Sequence, residues 1–275
     1  MTTTVPRITD AAAAQHVRWL TQWTAAAAAI AVAAGLWWVS TTVLCAPHSL
    51  LRQASPQRVA PALVDLLSRG VLLPDIGISL WRLLIGLSVA VVVGIPAGLL
   101  LGLRPAAERA TAPLVHFIRM ISPLSWAPIA VAVFGIGNQP VIFLIAVAAV
   151  WPVLINTAAG VRAVDPGYLD VARSFHATRI ELVTAVVLPV IRGQVQTGIR
   201  VALGIAWVVL VPAEMLGVRS GLGYQVLNAR DQLAYDQVVA VIVVIGVLGF
   251  ALDAAARWLL RSGRESGASS ARGAA

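Results

Sequence analysis

The sequence predicts an all-α, polytopic membrane protein with about six transmembrane helices. Hydrophobic residues make up 59% of its 275 residues and charged residues only 12%, which is about half the charged fraction of a soluble domain. Long apolar runs alternate with short polar segments that contain most of the arginines. Such a composition indicates that much of the surface faces lipid, and that the helices form one bundle.

The first predicted span is the uncharged run from Trp23 to Leu44. As a helix it would be about 33 Å long, which is enough to cross a bilayer and too long for the apolar region of a signal peptide. The preceding residues, 1–22, are polar to mixed, and we expect them in the cytoplasm. Residues 46–70 are expected outside, with a short interfacial helix that begins at Pro61.

The second and third predicted spans differ in regularity. The second runs from Ile78 to Leu103, and a cytoplasmic turn with Glu108 and Arg109 follows it. The third begins near Thr111 and reaches Phe134, but Ser122–Pro128 contains two prolines within six residues. Prolines so close together interrupt a lipid-facing helix, so this stretch must be shielded by protein or line a cavity.

The second half of the chain contains three further spans and the longest polar interior stretch, residues 162–181. The fifth span is long for a single crossing and contains Pro189 and Gly193. The whole membrane domain is expected to cover residues 23–261, followed by a disordered cytoplasmic tail, residues 262–275. The three spans are predicted at Val141–Val161, Leu182–Met215 and Val238–Leu260.

The basic residues predict the orientation of the chain. All 20 are arginines; this topology places 13 of them inside, Arg119 included, and six outside, Arg82 included, with Arg200 in the membrane. The excess on the inner side follows the positive-inside rule and places both termini in the cytoplasm. We therefore attribute the basic charge to cytoplasmic loops rather than to nucleic-acid binding.

Two residue counts exclude classes of site. Without lysine the chain lacks the residue by which a P-loop reaches the β- and γ-phosphates of ATP, so any ATP hydrolysis must occur on another polypeptide. The single cysteine, Cys45, excludes an internal disulfide framework and a cysteine-rich metal site. We predict no metal site in this chain.

The polar stretch 162–181 predicts two short helices joined by an elbow. Pro166 can open the first helix after the Asp165–Gly167 turn, and Thr178 with Glu181 has the spacing of a capping box that starts the second. His176 falls at the joint between them. A polar helical elbow between two membrane spans is suited to docking on a cytoplasmic partner.

This elbow resembles the loop of ABC importer permeases with the pattern E-A-A-x3-G-x9-I-x-L-P. Asp170, Val171 and Ala172 match E-A-A, and His176 takes the glycine position. Val186 takes the isoleucine position, and Leu188 and Pro189 close the pattern. The similarity continues from about residue 73 to residue 260, and it is strongest to the branch that imports nitrate, taurine and aliphatic sulfonates. The departures from the pattern are Asp for Glu, Val for Ala and His for Gly.

The resemblance implies partners for this chain in a bacterial inner membrane. They are two copies of an ATP-binding subunit, an extracytoplasmic solute-binding protein and a second copy of the permease. The chain itself would be neither an enzyme nor bound to a cofactor, since ATP and Mg²⁺ belong to the ATP-binding subunit. We expect His176 to adopt the left-handed conformation that glycine would supply. The residues expected to couple to the ATPase are Asp170, Val171, Ala172, Arg173, Phe175, His176, Ala177, Thr178, Glu181, Leu188 and Pro189.

Ionisable residues within the fifth span are candidates for the translocation pathway, because such residues are costly inside a membrane. Arg200 and Glu214 are 14 residues apart, close to four helical turns or about 21 Å, so they share a face but cannot pair with each other. They either line the pathway or form structural ion pairs with another helix or a second protomer. Asn156, Trp151 and Trp126 are weaker candidates for the same pathway.

Three other functions remain as alternatives. An ion-gradient-driven secondary transporter often has inverted repeats with paired broken helices, and the Ser122–Pro128 break has no second copy in this sequence. An intramembrane enzyme would need a catalytic signature such as H-E-x-x-H or G-x-S-x-G, and neither occurs. A pure scaffold would leave Arg200 and Glu214 unexplained.

Overall fold

The computed structural model describes residue 24, residues 28–43 and residues 52–272, with side chains described as far as residue 259. Within those residues the secondary structure is helical, without strands. A 3-10 turn precedes α5, and a π-helical turn joins α8 to α9. The helices are α1 (Ala28–Thr42), α2 (Pro56–Ser68), α3 (Leu72–Leu103), α4 (Pro105–Met120), α5 (Ala127–Phe134), α6 (Asn138–Arg162), α7 (Pro166–Ser174), α8 (Arg179–Glu181), α9 (Leu188–Gly217), α10 (Leu222–Asp231) and α11 (Tyr235–Arg272).

Four helical segments of the described chain are long and apolar enough to cross a membrane. They are α3, α6, the continuous run Arg179–Gly217 and the part of α11 from Tyr235 to Leu259. A fifth exists if α4 and Pro123–Phe134, which meet at 85°, form one broken span. The first predicted span, Trp23–Leu44, lies partly outside the described residues, and its described part is the shorter helix α1. The count of six therefore stays a prediction.

Helix α6 is the central helix of the bundle, between α3 and α9. Four glycines of α3 face α6, and the Cβ that a larger residue would have at each lies 2.5–2.9 Å from an α6 atom. On the other side, a Cβ at Gly198 of α9 would lie 2.9 Å from the Cβ of Asn156. Small residues allow membrane helices to approach this closely. The four α3 positions are Gly86, Gly94, Gly98 and Gly102.

A second apolar cluster joins the outer helices. Buried residues of α2 pack with Leu222 of α10 and Val241 of α11, and Trp37 of α1 lies against them. The indole N–H of Trp37 donates a hydrogen bond to the carbonyl of Ala54 at 3.0 Å. This cluster fixes α2 as a short helix beside the bundle, as the sequence predicts, although α2 begins at Pro56 rather than Pro61.

The structure corrects the start of two predicted spans. The second span begins at Leu72 rather than Ile78. Leu72 and Asp75 are buried against neighbouring helices, and they extend the helix on the N-terminal side of the apolar run. Helix α4 begins at Pro105 rather than Thr111. Proline is well suited to the first position of a helix, so the expected turn around Glu108 is the first turn of α4. The predicted break after it is confirmed as the 85° bend.

The last helix reaches into the predicted C-terminal tail, since α11 ends at Arg272. The disorder expected over residues 262–275 stays a prediction. No proline interrupts residues 262–272, so the helix that crosses the membrane can extend through this polar stretch.

Candidate functional site

The elbow between α6 and α9 has the two helices that its sequence predicts. Asp165 caps α7 by accepting a 2.8 Å hydrogen bond from the Gly167 N–H. At the start of α8, Thr178 and Glu181 form the expected capping box: the Thr178 N–H donates to Glu181 Oε2 at 2.7 Å, and the Glu181 N–H donates to Thr178 Oγ1 at 3.3 Å. Local hydrogen bonds therefore define both helices.

His176 forms the joint and has the predicted left-handed backbone, with φ of 58°. Its N–H donates to the carbonyl of Arg173 at 2.9 Å, and the Ala177 N–H donates to the carbonyl of Ala172 at 3.1 Å. These bonds close the C-terminal end of α7 in the way that a glycine usually allows. Histidine therefore adopts the conformation that the glycine of the family pattern would supply.

The elbow has an anchored side and an exposed side. Leu169, Leu182 and Leu188 pack against the buried ends of α6 and α9. Asp170 and Arg173 form an exposed ion pair at 3.0 Å. Four large apolar side chains are exposed on the rest of the elbow, which suits contact with another protein. They are Tyr168 (60% exposed), Val171 (59%), Phe175 (82%) and Ile180 (76%).

Glu214 is fully buried within a polar network at the other end of α9. Its carboxylate forms an ion pair with Arg82 of α3, with Nη1 and Oε1 2.7 Å apart, and the exposed fractions of the two side chains are 0% and 1%. The Ser79 hydroxyl lies 2.8 Å from the same carboxylate oxygen. Arg82 also donates to the Ser220 carbonyl at 2.8 Å and to Asn138 Oδ1 at 2.9 Å. This ion pair joins α3 to the C-terminal end of α9.

The same network fixes the turn between α9 and α10. Asp75 accepts hydrogen bonds from the Gly221 N–H and from Gln225 Nε2, both at 2.6 Å. Glu214 accepts another from the Gly223 N–H at 2.9 Å. Gly221 has a positive φ of 102°, and a Cβ there would overlap the Glu214 carboxylate. A glycine is therefore required at this position.

Arg200 has a different environment from Glu214. Its Nε lies 3.2 Å from Asp253 Oδ1 of α11, and both side chains are nearly half exposed. Asp253 also pairs with Arg257 at 3.0 Å. The structure therefore gives Arg200 and Glu214 separate partners on separate helices, in agreement with the expectation that they do not pair with each other.

Arg82 and Asp253 are the partners that sequence reasoning missed. The sequence position of Arg82 alone predicts a place at the outer interface, whereas the side chain is buried. A usable signal was present: Asp75, Ser79 and Arg82 have the i, i+4, i+7 spacing of one helical face. Polar residues along one face of an apolar span are expected to face protein rather than lipid.

Two of the weaker pathway candidates line a common groove. Trp151 and Asn156 of α6 border a groove of about 400 Å³, together with Arg119 and Val201. Arg200, Glu214 and Trp126 do not line this groove, and Trp126 packs against the central apolar cluster. Asn156 Nδ2 donates one hydrogen bond to the Pro152 carbonyl at 2.8 Å.

A second cavity, of about 190 Å³, lies between α4 and the C-terminal turns of α6. Glu108 and Arg162, which form an ion pair between these two helices, both line it. His116 and Arg119 also border this cavity. Two neighbouring cavities with polar groups thus follow the face of α6.

Comparison with known proteins identifies the family. Residues 70–264 match the family described as binding-protein-dependent transport system inner membrane component. The bicarbonate transport system permease of Synechococcus elongatus is 38% identical over 185 residues, which are 66% of this chain and 66% of that protein. The taurine transport system permease of Escherichia coli is 34% identical over 238 residues, 84% of this chain and 86% of that protein. The putative aliphatic sulfonates transport permease of E. coli is 34% identical over 230 residues, 84% of each.

Among solved structures, an inward-facing conformation of the MetNI methionine ABC transporter has the same fold. The TM-score is 0.58 at 21% identity, over 72% of this chain and 95% of that one. The fold, the elbow and the sequence relatives lead to the same assignment. The chain belongs to the family of binding-protein-dependent inner membrane components, the permease subunits of ABC importers.

Proposed function

We propose that this chain and a second copy of it form the pathway of an importer for a small solute with an anionic oxygen. The candidates are taurine, an alkanesulfonate, nitrate and bicarbonate, the solutes named for its relatives. Two copies of a separate subunit bind ATP and Mg²⁺ and drive transport, and an extracytoplasmic binding protein delivers the solute. The chain lies in the bacterial inner membrane with both termini in the cytoplasm.

The elbow is the single observation that carries this proposal. Phe175 directly follows the last residue of α7, and its side chain is 82% exposed. A buried aromatic anchor of this kind often contributes 2 kcal/mol or more, by order of magnitude, to a protein interface. Docking of an ATP-binding subunit on α7 would bury Phe175 and explain its exposure in the isolated chain.

Homodimerisation follows from the number of elbows. The chain has one elbow, whereas two ATP-binding subunits need two docking sites. A closed two-fold arrangement is the commonest symmetry of protein assemblies, and it gives each ATP-binding subunit one elbow.

Co-purification tests the docking role. Ala172→Pro places a proline inside α7, which costs about 3 kcal/mol in a helix, and Phe175→Ala removes the exposed ring. We expect both variants to insert normally and to lose the ATP-binding subunit on affinity purification. Phe250→Ala is the control, because it removes a ring that is 72% exposed on α11. This variant should still co-purify with the ATP-binding subunit. Unchanged co-purification of the two elbow variants would contradict the docking role.

A transport assay tests the solute class and the energy source. Disruption of the gene should abolish growth on one of the candidate compounds as the sole source of sulfur, nitrogen or inorganic carbon. In proteoliposomes with the partner subunits, uptake should require internal ATP and persist without an ion gradient. Uptake that depends on a gradient and not on ATP would instead support the secondary transporter.

A further inference from the structure

Arg119 borders both cavities that follow α6. It is the penultimate residue of α4, directly before the 85° bend. The 400 Å³ groove and the 190 Å³ cavity share only two lining residues, Arg119 and Ile155. Arg119 therefore lies where one space passes into the other.

The order of the two cavities along α6 follows from their lining residues. Trp151 lines the groove, and Arg162 is the last residue of α6. The two residues are 11 positions apart, which corresponds to about 16 Å along the helix. The smaller cavity is lined by Leu154, Ala158 and Arg162, in the last turns of the same helix. A solute moving from the groove to the cytoplasm would therefore pass Arg119 at the boundary.

The charge of Arg119 is uncompensated within the described part of the chain. Arg82, Arg162 and Arg200 each pair with a carboxylate, whereas Arg119 forms no ion pair or hydrogen bond with any described residue. Among the described residues that line the groove, Arg119 is also the sole ionisable one. Arg119 is exposed in the single chain, so its guanidinium is accessible to a solute in the groove.

We propose that Arg119 contacts the anionic oxygen of the solute during its passage, an inference that rests on the function proposed above. A guanidinium can donate two parallel hydrogen bonds to a sulfonate, nitrate or bicarbonate. The Trp151 indole N–H and the second amide hydrogen of Asn156 are the other donors in the groove. Arg119, rather than Arg200, thus supplies the positive charge of the pathway.

Uptake by cells that carry the chain with its partner subunits tests this role. The probes are labelled taurine, methanesulfonate, nitrate and bicarbonate. Arg119→Gln should lower uptake of the transported anion by about tenfold or more, the loss expected for one hydrogen bond to a charged group. Arg119→Lys should retain part of it. Arg109→Gln is the control. It changes an exposed arginine that lies more than two turns from Arg119 on the same helix, and it should leave uptake unchanged.

Membrane abundance is measured in the same cells. Equal uptake by wild type and Arg119→Gln would overturn the inference while leaving the proposed function intact. If the wild type transports none of the four anions, the proposed function and the role of Arg119 are both overturned. If Arg119→Gln instead loses dimerisation or abundance in proportion to uptake, Arg119 is a structural residue and the inference is overturned.

Cysteine labelling gives a second measurement that does not depend on transport. In a Cys45→Ser background, Arg119→Cys introduces the single thiol of the chain. We expect a membrane-impermeant methanethiosulfonate to modify it, and the transported anion to slow that modification. A thiol that does not react, or whose reaction the anion does not slow, would contradict contact with the solute.

Discussion

Arg82 Nη1 and Glu214 Oε1 lie 2.7 Å apart, and neither side chain exposes more than 1% of its surface. The two residues belong to α3 and α9 and are 132 positions apart in the sequence. Further hydrogen bonds from Ser79 and Gly223 satisfy the carboxylate. A buried ion pair with this many additional bonds fixes the arrangement of the helices it joins.

We expect Glu214→Gln to destabilise the protein strongly. It leaves the Arg82 guanidinium buried without a counter-charge, which costs about 3–5 kcal/mol, and the melting temperature and membrane abundance should both fall. Asp231→Asn is the control, because the Arg230–Asp231 pair is more than half exposed and such pairs contribute about 0–1 kcal/mol. Equal melting temperatures for Glu214→Gln and wild type would mean that the pair does not stabilise the fold.

Gly98→Ala should loosen the contact between α3 and α6. The added Cβ would lie 2.6 Å from the Leu154 carbonyl oxygen, a backbone atom that cannot move alone, and overpacking of this kind costs about 1–3 kcal/mol. Gly77→Ala is a matched control on the same helix, since its Cβ would have no heavy atom within 4 Å. The melting temperature in detergent distinguishes the two variants, and a similar loss for both would point to a general effect of the substitution.

His176→Val should open the elbow, whereas His176→Gly should not. The φ of 58° suits glycine, but it costs about 1–2 kcal/mol or more for a β-branched residue. Trypsin cleavage at Arg173 and Arg179, which flank the joint, reports local opening. We expect faster cleavage of His176→Val only. Identical cleavage rates for both variants would show that the backbone conformation at 176 does not stabilise the elbow.

Arg200→Gln should reduce membrane abundance slightly and leave uptake per molecule near the wild-type value. Asp253 keeps Arg257 as a partner at 3.0 Å, so the loss of Arg200 does not leave it unpaired. Abundance and uptake are measured in the same cells; unchanged abundance with strongly reduced uptake would instead place Arg200 in the pathway.

Local features of the fold could be predicted from the sequence because they depend on neighbouring residues. The capping box at Thr178, the left-handed joint at His176 and the break after Met120 each follow from the chemistry of a few consecutive positions. All three are present in the structure.

The pairing of helices could not be predicted in the same way. No local pattern shows that Arg82 contacts Glu214, or that Arg200 contacts Asp253, because these contacts depend on how distant helices pack. The spacing of Asp75, Ser79 and Arg82 reveals a protein-facing side of α3, but not the helix that it faces. The groove at Arg119 likewise exists only once α4 bends beside α6.

The short connection between α6 and α7 has a mechanical consequence. Only residues 163–165 separate the two helices, and the elbow is packed onto the C-terminal end of α6 and the N-terminal end of α9. A helix of 25 residues is about 37 Å long. If α6 tilts as a rigid rod by about 5° when the elbow is displaced, its far end moves by about 3 Å. A small displacement of the elbow can therefore change the separation of side chains at the opposite end of α6.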